Sequence, residues 1–116
     1  MTSRTRLPPT RSSVTNRTNH AGDLDIYVIV GFYDSGEPGE VFVTIGKEGS
    51  TLGGLCSMLG VLISLLLQHG APWETVSRKL IHTNFPPCNE EGYSVAHTIV
   101  KAVDTAIEWN KGNKNG

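Results

Sequence analysis

The sequence predicts an α+β domain in which an extended basic arm and an antiparallel β-hairpin precede three helices, and three observations predict it. A β-branched and aromatic stretch at residues 25–33 is followed by turn-forming residues and a second β-rich stretch at residues 41–45. Leucines then recur at helical spacing before residue 69, and two later segments repeat that periodicity. Strands that precede helices along the chain are typical of the α+β class.

The first 22 residues form the basic arm. They hold four arginines and no acidic residue, a charge of +4; the other six bases and eleven acids give −5, and the whole chain is −1. A basic arm on an acidic body either folds back on its own domain or a neighbouring subunit, or contacts an anionic ligand. Nucleic acid is not the expected partner, because four arginines give a small footprint. They are Arg4, Arg6, Arg11 and Arg17.

The predicted hairpin has two apolar faces, because alternate residues of a strand share a face and both sets are apolar. One face is expected to pack on the helices. The other needs a second cover, which favours a homo-oligomer. The first set is Ile26, Val28, Val30 and Phe32, and the second is Tyr27, Ile29 and Tyr33.

The first predicted helix runs from Ser50 or Thr51 to His69. A hydroxyl at its start caps free N–H groups, and Gly70 ends it. Apolar residues surround it nearly completely, so we expect it to be the central, buried helix. Its apolar run at residues 59–67 is too short for a membrane span, and no signal peptide precedes it, so we expect a soluble cytoplasmic protein without a membrane partner. Three glycines indicate close approach to a neighbour: Gly53, Gly54 and Gly60.

Two further helices are predicted at residues 71–82 and 94–109, separated by a proline-containing loop at residues 83–93. The polar, glycine-rich C-terminus is expected to fray. The chain therefore divides into the basic arm at residues 1–22, one α+β domain at residues 23–109 and a flexible tail at residues 110–116.

The stretch "GKEGSTLGGL" at residues 46–55 joins the hairpin to the first helix. It is not a Walker loop, because Lys47 precedes Gly49 instead of following the second glycine of that motif. A glycine-rich turn still delivers backbone N–H groups at the positive end of a helix, where they bind anions. The alternative is a plain strand-to-helix connection with a serine cap.

Residue types that bind metals or catalyse reactions occur here without a chemical pattern. No two of the four histidines are four residues apart on one helix, and Cys56 and Cys88 fit no zinc or redox spacing. Asp104 and Glu108 lie one turn apart, where a solvated helix face is far commoner than an acid–base pair. We therefore expect no metal, no cofactor and no enzymatic activity.

Four stretches together resemble the TSCPD domain: "RLPPTR", "PGEVF", "GKEGST" and "LLLQHGAPWE". This small domain is found near the C-terminus of adenosylcobalamin-dependent ribonucleotide reductases and as a separate short protein. The resemblance covers residues 4–109. It implies a connection with nucleotide metabolism but not the reductase activity, which needs a thiyl cysteine and a reducing dithiol inside a large barrel.

The last third of the chain departs from the pattern of the family that it resembles. Asn84 stands where the family loop has arginine, and Pro86 where it has glutamate. In the closing helix, Thr105 replaces an aromatic residue and Glu108 an arginine. The resemblance therefore implies that whatever this end binds in the family is bound differently here, or that something else is bound.

Three functional hypotheses follow. The first is a non-catalytic nucleotide-binding module that sequesters a nucleotide or signalling nucleotide: helix-end amides and a lysine hold phosphate, arginines close over it, and an aromatic ring stacks on the base. The second is an assembly module that oligomerises or docks on a ribonucleotide reductase chain. The third is a degenerate enzyme fragment without activity. The predicted ligand-binding residues are Arg6, Arg11, Lys47, Gly49, Ser50, Thr51, Trp73, Phe85 and Tyr93.

Overall fold

A computed structural model describes residues 3–22, 24–46, 50–86 and 88–114 of the chain. Three antiparallel strands are followed by three helices, which confirms the α+β class and the predicted order of hairpin and helices. The elements are β1 (Ser13–Ala21), β2 (Leu24–Phe32), β3 (Pro38–Ile45), α1 (Thr51–Gln68), α2 (Trp73–Ile81) and α3 (Val95–Lys114).

The strands form one sheet in the order β1–β2–β3. In the register, Val30 of the central strand pairs with Val14 of β1 and with Val41 of β3. The inner face of the sheet is buried, as the alternation in β2 predicts, whereas Tyr27 and Phe42 on the outer face are 36% and 52% exposed. The buried residues that β2 contributes to the inner face are Ile26, Val28, Val30 and Phe32.

Strand β1 occupies residues that the sequence analysis assigned to the arm, so that boundary was wrong. The segment "SVTNRTNHA" offers few apolar residues, and its polar composition hid the strand. Pairing with the otherwise open edge of β2 satisfies its backbone groups and overrides weak local propensity. His20, near the end of β1, is buried with Nδ1 2.7 Å from the Oγ1 of Thr98 on α3.

Helix α3, not α1, is the most deeply packed helix. It lies against β1 and β2, while α1 lies along β3. The expectation that α1 is buried nearly all round is therefore not met, because apolar residues on every side of a helix do not reveal which side faces the core. The buried residues of α1 are Cys56, Gly60, Ile63, Leu67 and Gln68, and those of α3 include Val95, Ala96, Ile99, Val100, Ala102, Val103 and Ala106.

Helix α1 closes the free edge of β3. The hydroxyl of Ser64 accepts a hydrogen bond from the Val41 N–H at 2.8 Å and lies 3.1 Å from the Val41 carbonyl oxygen. One turn later, the Gln68 Nε2 donates to the Gly39 carbonyl at 3.0 Å. Gly60 permits this approach, since a Cβ there would lie 2.8 Å from the Val41 oxygen. A helix thus satisfies backbone groups that an edge strand otherwise leaves open.

The sequence predicted the C-terminus of α1 correctly but not that of α3. Gly70 follows α1 with φ of 97°, a left-handed conformation that favours glycine, as predicted. Helix α3 continues to Lys114, so residues 110–114 of the predicted flexible tail are helical. Asn110 is buried there, which shows that tertiary packing extends the helix past the point where its apolar periodicity ends.

We predict that Gly60→Ala lowers the free energy of unfolding by about 1–3 kcal/mol, although alanine favours helix, because its methyl group would press on the backbone of β3. Chemical denaturation measures this. Gly112→Ala in α3 is the control, since a Cβ there meets nothing within 4 Å. If both variants are equally stabilised, α1 does not approach β3 as described.

Candidate functional site

The strand-to-helix stretch begins α1 with a serine cap. Ser50 is half-buried, and its hydroxyl accepts a hydrogen bond from the Gly53 N–H at 2.9 Å. Thr51 is exposed in the first turn. Lys47 and Gly49, the other predicted phosphate ligands in this stretch, lie outside the described residues.

Arg11 is engaged by a carboxylate of its own domain. Its Nη2 donates to the Oε1 of Glu40 at 2.9 Å, its Nε donates to Oε2, and its Nη1 donates to the Pro8 carbonyl at 2.9 Å. Glu40 is 8% exposed, and its side chain occupies the space that a Cβ on Gly31 would need. The hydrogen bond to Glu40, with its charge, raises the pKa of Arg11. The pair therefore fixes the arm to β3.

The rest of the described arm also lies on its own domain. The Thr5 N–H donates to the Gln68 carbonyl at 2.7 Å, and the Arg4 Nε donates to the Gln68 Oε1 at 2.6 Å. The Tyr33 hydroxyl donates to the Thr5 carbonyl at 2.6 Å, and burial raises the pKa of that phenol. Arg6 follows Thr5 and is exposed.

Among the described residues, the structure does not bring the predicted phosphate ligands of the arm and of the helix start together. The arm, with Arg6 and Arg11, runs past the last turn of α1, whereas Ser50 and Thr51 are at its first turn. Eighteen helical residues separate the two groups by about 27 Å. The arginines therefore cannot close over an anion held at the start of α1 without leaving their present contacts.

The three predicted base-stacking aromatics are also dispersed. Trp73 begins α2, is 7% exposed, and donates from Nε1 to the Asp104 carboxylate at 2.8 Å. Phe85 is 38% exposed in the loop after α2. Tyr93 stacks on the ring of His97, with the centroids 3.7 Å apart. The length of α2, about 13 Å, separates the first from the other two.

Three of the four stretches that carry the family resemblance meet at one place in the fold. Arg11 of "RLPPTR" pairs with Glu40 of "PGEVF", and Gln68 of "LLLQHGAPWE" bonds to Gly39 of "PGEVF" and to Thr5 just before the first stretch. Their shared contacts hold the arm, β3 and α1 together. The available sequence signal was the complementary charge of one arginine and one glutamate in separate stretches, and sequence reasoning missed it.

A cleft that the sequence did not predict lies between the β2–β3 turn, the α1–α2 turn and the C-terminal part of α3, with a volume of about 610 Å³. Among the described side chains on its wall, the Nδ2 of Asn110 is buried without a hydrogen-bond partner. Lys111 also lines the cleft, as do Glu37 and Glu74. Two carboxylates against one ammonium make this cleft better suited to a neutral or cationic group than to phosphate.

The outer side of α1 is an uncovered apolar surface, which we call the α1 face. Its residues are between 37% and 59% exposed, and α1 contains no charged residue. Beside it, an apolar groove of about 380 Å³ runs along β3 and includes the exposed ring of Phe42. By length and composition alone, α1 is also the one helix in the described ranges apolar enough to cross a membrane. The α1 face comprises Leu55, Met58, Val61, Leu62, Leu65 and Leu66.

Comparison with known proteins gives one family. Residues 1–107 match the model of the TSCPD domain. A vitamin B12-dependent ribonucleotide reductase of Rhodopirellula baltica is 39% identical over 106 residues, which are 91% of this chain. Reductases of the same name from Streptantibioticus cattleyicolor and Bradyrhizobium diazoefficiens are 34% and 31% identical over 72% and 75% of it.

The matched region is a small part of those relatives. This chain spans 10% of the length of the Rhodopirellula baltica protein, and 14% and 7% of the other two. No solved structure matches the chain.

We predict that Arg11→Ala lowers the melting temperature of the free protein by roughly 4–8 °C, because the buried Glu40 carboxylate loses its guanidinium partner. Differential scanning calorimetry measures this, and Arg6→Ala, an exposed arginine of the same arm, is the control with little change. If Arg11→Ala leaves the melting temperature unchanged but weakens anion binding, the predicted role of Arg11 as a ligand-binding residue is supported instead.

Proposed function

The chain belongs to the TSCPD domain family, and on that premise we propose that it works as a non-catalytic assembly module whose α1 face docks on protein. The observation that carries the proposal is the α1 face itself: six large apolar side chains on a helix without a single charge, continuous with Phe42. Soluble monomers rarely expose contiguous apolar patches of this kind, and such patches mark interaction sites.

The packing of α1 supports a docking role. The helix is held on its inner side by Ser64 and Gln68, so the outer side is presented on a fixed scaffold. A rigid apolar surface loses little conformational entropy on binding, which favours association. The distance between the arginines of the arm and the described start of α1 gives no comparable support to a composite nucleotide site there.

The relatives suggest one class of partner. In them, a region like this chain is a minor part of a protein named as a vitamin B12-dependent ribonucleotide reductase, so we propose a reductase chain among the proteins that the α1 face contacts. The proposed role is contact and not chemistry. Both cysteines are free, and burial raises the pKa of the Cys56 thiol, which disfavours a reactive thiolate there.

We predict that the double substitution Leu62→Glu with Leu65→Glu abolishes assembly and changes the free energy of unfolding of the dilute monomer by less than about 0.5 kcal/mol, since both side chains are exposed. Sedimentation velocity of the chain alone, and mixed with a full-length vitamin B12-dependent ribonucleotide reductase, measures assembly. Ile81→Glu on α2 is the matched control, because Ile81 is as exposed as Leu65, at 37%. If the double glutamate variant and Ile81→Glu assemble equally well, both alone and with the reductase, the proposal is contradicted.

A second candidate function is the holding of a nucleotide-like small molecule, favoured by the Asn110 Nδ2, which has no hydrogen-bond partner among the described residues, on the wall of the 610 Å³ cleft. Volumes of this size are typical of ligand sites. Carbonyl and ring-nitrogen acceptors on a base match the Nδ2 donor, and Trp73 forms part of the wall. Because Glu37 and Glu74 also line the cleft, the base and sugar fit it better than the phosphates.

For this candidate we predict that nucleosides raise the melting temperature more than the corresponding nucleotides, by roughly 10 °C or more at a hundredfold excess over Kd. Asn110→Ala removes the shift, whereas Asn113→Ala, an exposed residue of the same helix, keeps it. Larger shifts with nucleotides, lost in Lys47→Ala, would favour the phosphate site predicted at the start of α1. If neither nucleosides nor nucleotides change the melting temperature, both ligand sites are eliminated.

A further inference from the structure

We propose that the α1 face binds a second copy of this chain, with the two α1 helices packed antiparallel and a two-fold axis that crosses the α1 face at the level of Gly60. This inference rests on the proposed function, because it names one partner for the surface that the proposed function uses. Four observations support it: the spacing of the apolar side chains, their symmetry along the helix, an unexplained glycine, and the area and charge of the face.

The spacing of the exposed side chains is that of a helix-pairing seam. Leu55, Met58, Leu62 and Leu65 follow one another at steps of three, four and three residues. This is the spacing at which side chains of one helix enter the gaps of another. All four are exposed, so none of them is required by the core of the chain itself.

The seam is symmetric about Gly60. Leu55 and Leu65 lie five residues before and after it, and Met58 and Leu62 lie two residues before and after it. An antiparallel pair centred there therefore sets Leu55 against the partner's Leu65 and Met58 against the partner's Leu62. A sequence pattern that is the same in both directions is self-complementary, which a two-fold interface requires.

Gly54 is not explained by the contacts within the chain. A Cβ at Gly54 would meet nothing within 4 Å, in contrast to Gly60, where it would meet the backbone of β3. Glycine inside a helix is destabilising relative to alanine, so open space alone gives no reason for it. In the antiparallel pair Gly54 lies at the edge of the seam beside Leu55, where the missing side chain lets the partner helix approach closely.

The area and charge of the face also favour a second copy. With exposed fractions between 37% and 59%, the α1 face and Phe42 present on the order of 600 Å² of apolar surface, so two copies would bury about 1,200 Å². That value reaches the range of stable interfaces. Because α1 has no charge, a partner with charges at this face would leave them unpaired, and another α1 has none. Antiparallel packing also opposes the two helix dipoles.

Cysteine cross-linking tests the arrangement. In a Cys88→Ser background, we expect a mixture of Met58→Cys chains and Leu62→Cys chains to form a disulfide-linked dimer on mild oxidation, because the two positions face each other across the axis. Each variant alone is expected to cross-link at least tenfold less, since identical positions lie too far apart for a disulfide. Equally efficient cross-linking of Leu62→Cys alone would overturn the antiparallel pair.

Glycine substitutions provide an independent readout. Gly54→Ala is expected to raise the melting temperature of the dilute monomer, because alanine favours helix, and to weaken dimerisation about tenfold or more, because its methyl group stands at the edge of the seam where the partner helix approaches. Gly112→Ala, the matched helical glycine with open space in α3, is expected to leave dimerisation unchanged. Unchanged dimerisation in Gly54→Ala would overturn the close approach proposed there.

Sedimentation over a wide concentration range separates this inference from the proposed function. A chain that stays monomeric, yet binds a reductase through Leu62 and Leu65, refutes the second copy and keeps the docking role. A monomer that binds no reductase refutes both. Co-sedimentation of wild-type monomer with phosphatidylcholine vesicles, lost in the double glutamate variant, would assign the α1 face to lipid and overturn the inference.

Discussion

The free edge of β3 is the constraint on which the other features of this domain depend. An open strand edge exposes backbone N–H and C=O groups that recruit other strands, and α1 covers it with three residues spaced one turn apart. Gly60 brings the helix close, Ser64 bonds to Val41, and Gln68 bonds to Gly39. Together these three residues determine which side of α1 faces inward.

The exposure of the α1 face follows from the orientation of α1 against β3. Since the glycine, serine and glutamine stripe faces the strand, the leucines and methionine on the other side of α1 face outward. A helix apolar on all sides would ordinarily be buried between layers. Here only one layer is available, because α3 covers β1 and β2 and makes few contacts with α1. No second layer of the described chain covers that side, and this is the observation behind the proposed assembly role.

The same edge explains the basic arm. Gln68 ends α1 beside the start of β3, and the arm crosses both, with Arg4 on Gln68 and Arg11 on Glu40. The positive charge that favoured an anionic ligand in the sequence is thus partly neutralised by a buried carboxylate of the same domain. Glu40 lies 29 residues along the chain from Arg11, so the pairing depends on the register of the sheet and on the absence of a side chain at Gly31.

The sequence by itself determined the α+β class, the β2–β3 hairpin, the Ser50 cap and the Gly70 terminus, because period, turn chemistry and capping act over a few neighbouring residues. It also determined that α1 is uncharged. Only the tertiary structure decided that residues 13–21 form a strand, that α1 turns one apolar side outward, and that the candidate ligand residues among those described lie apart. Those outcomes depend on which distant surfaces meet, and no local pattern contains that information.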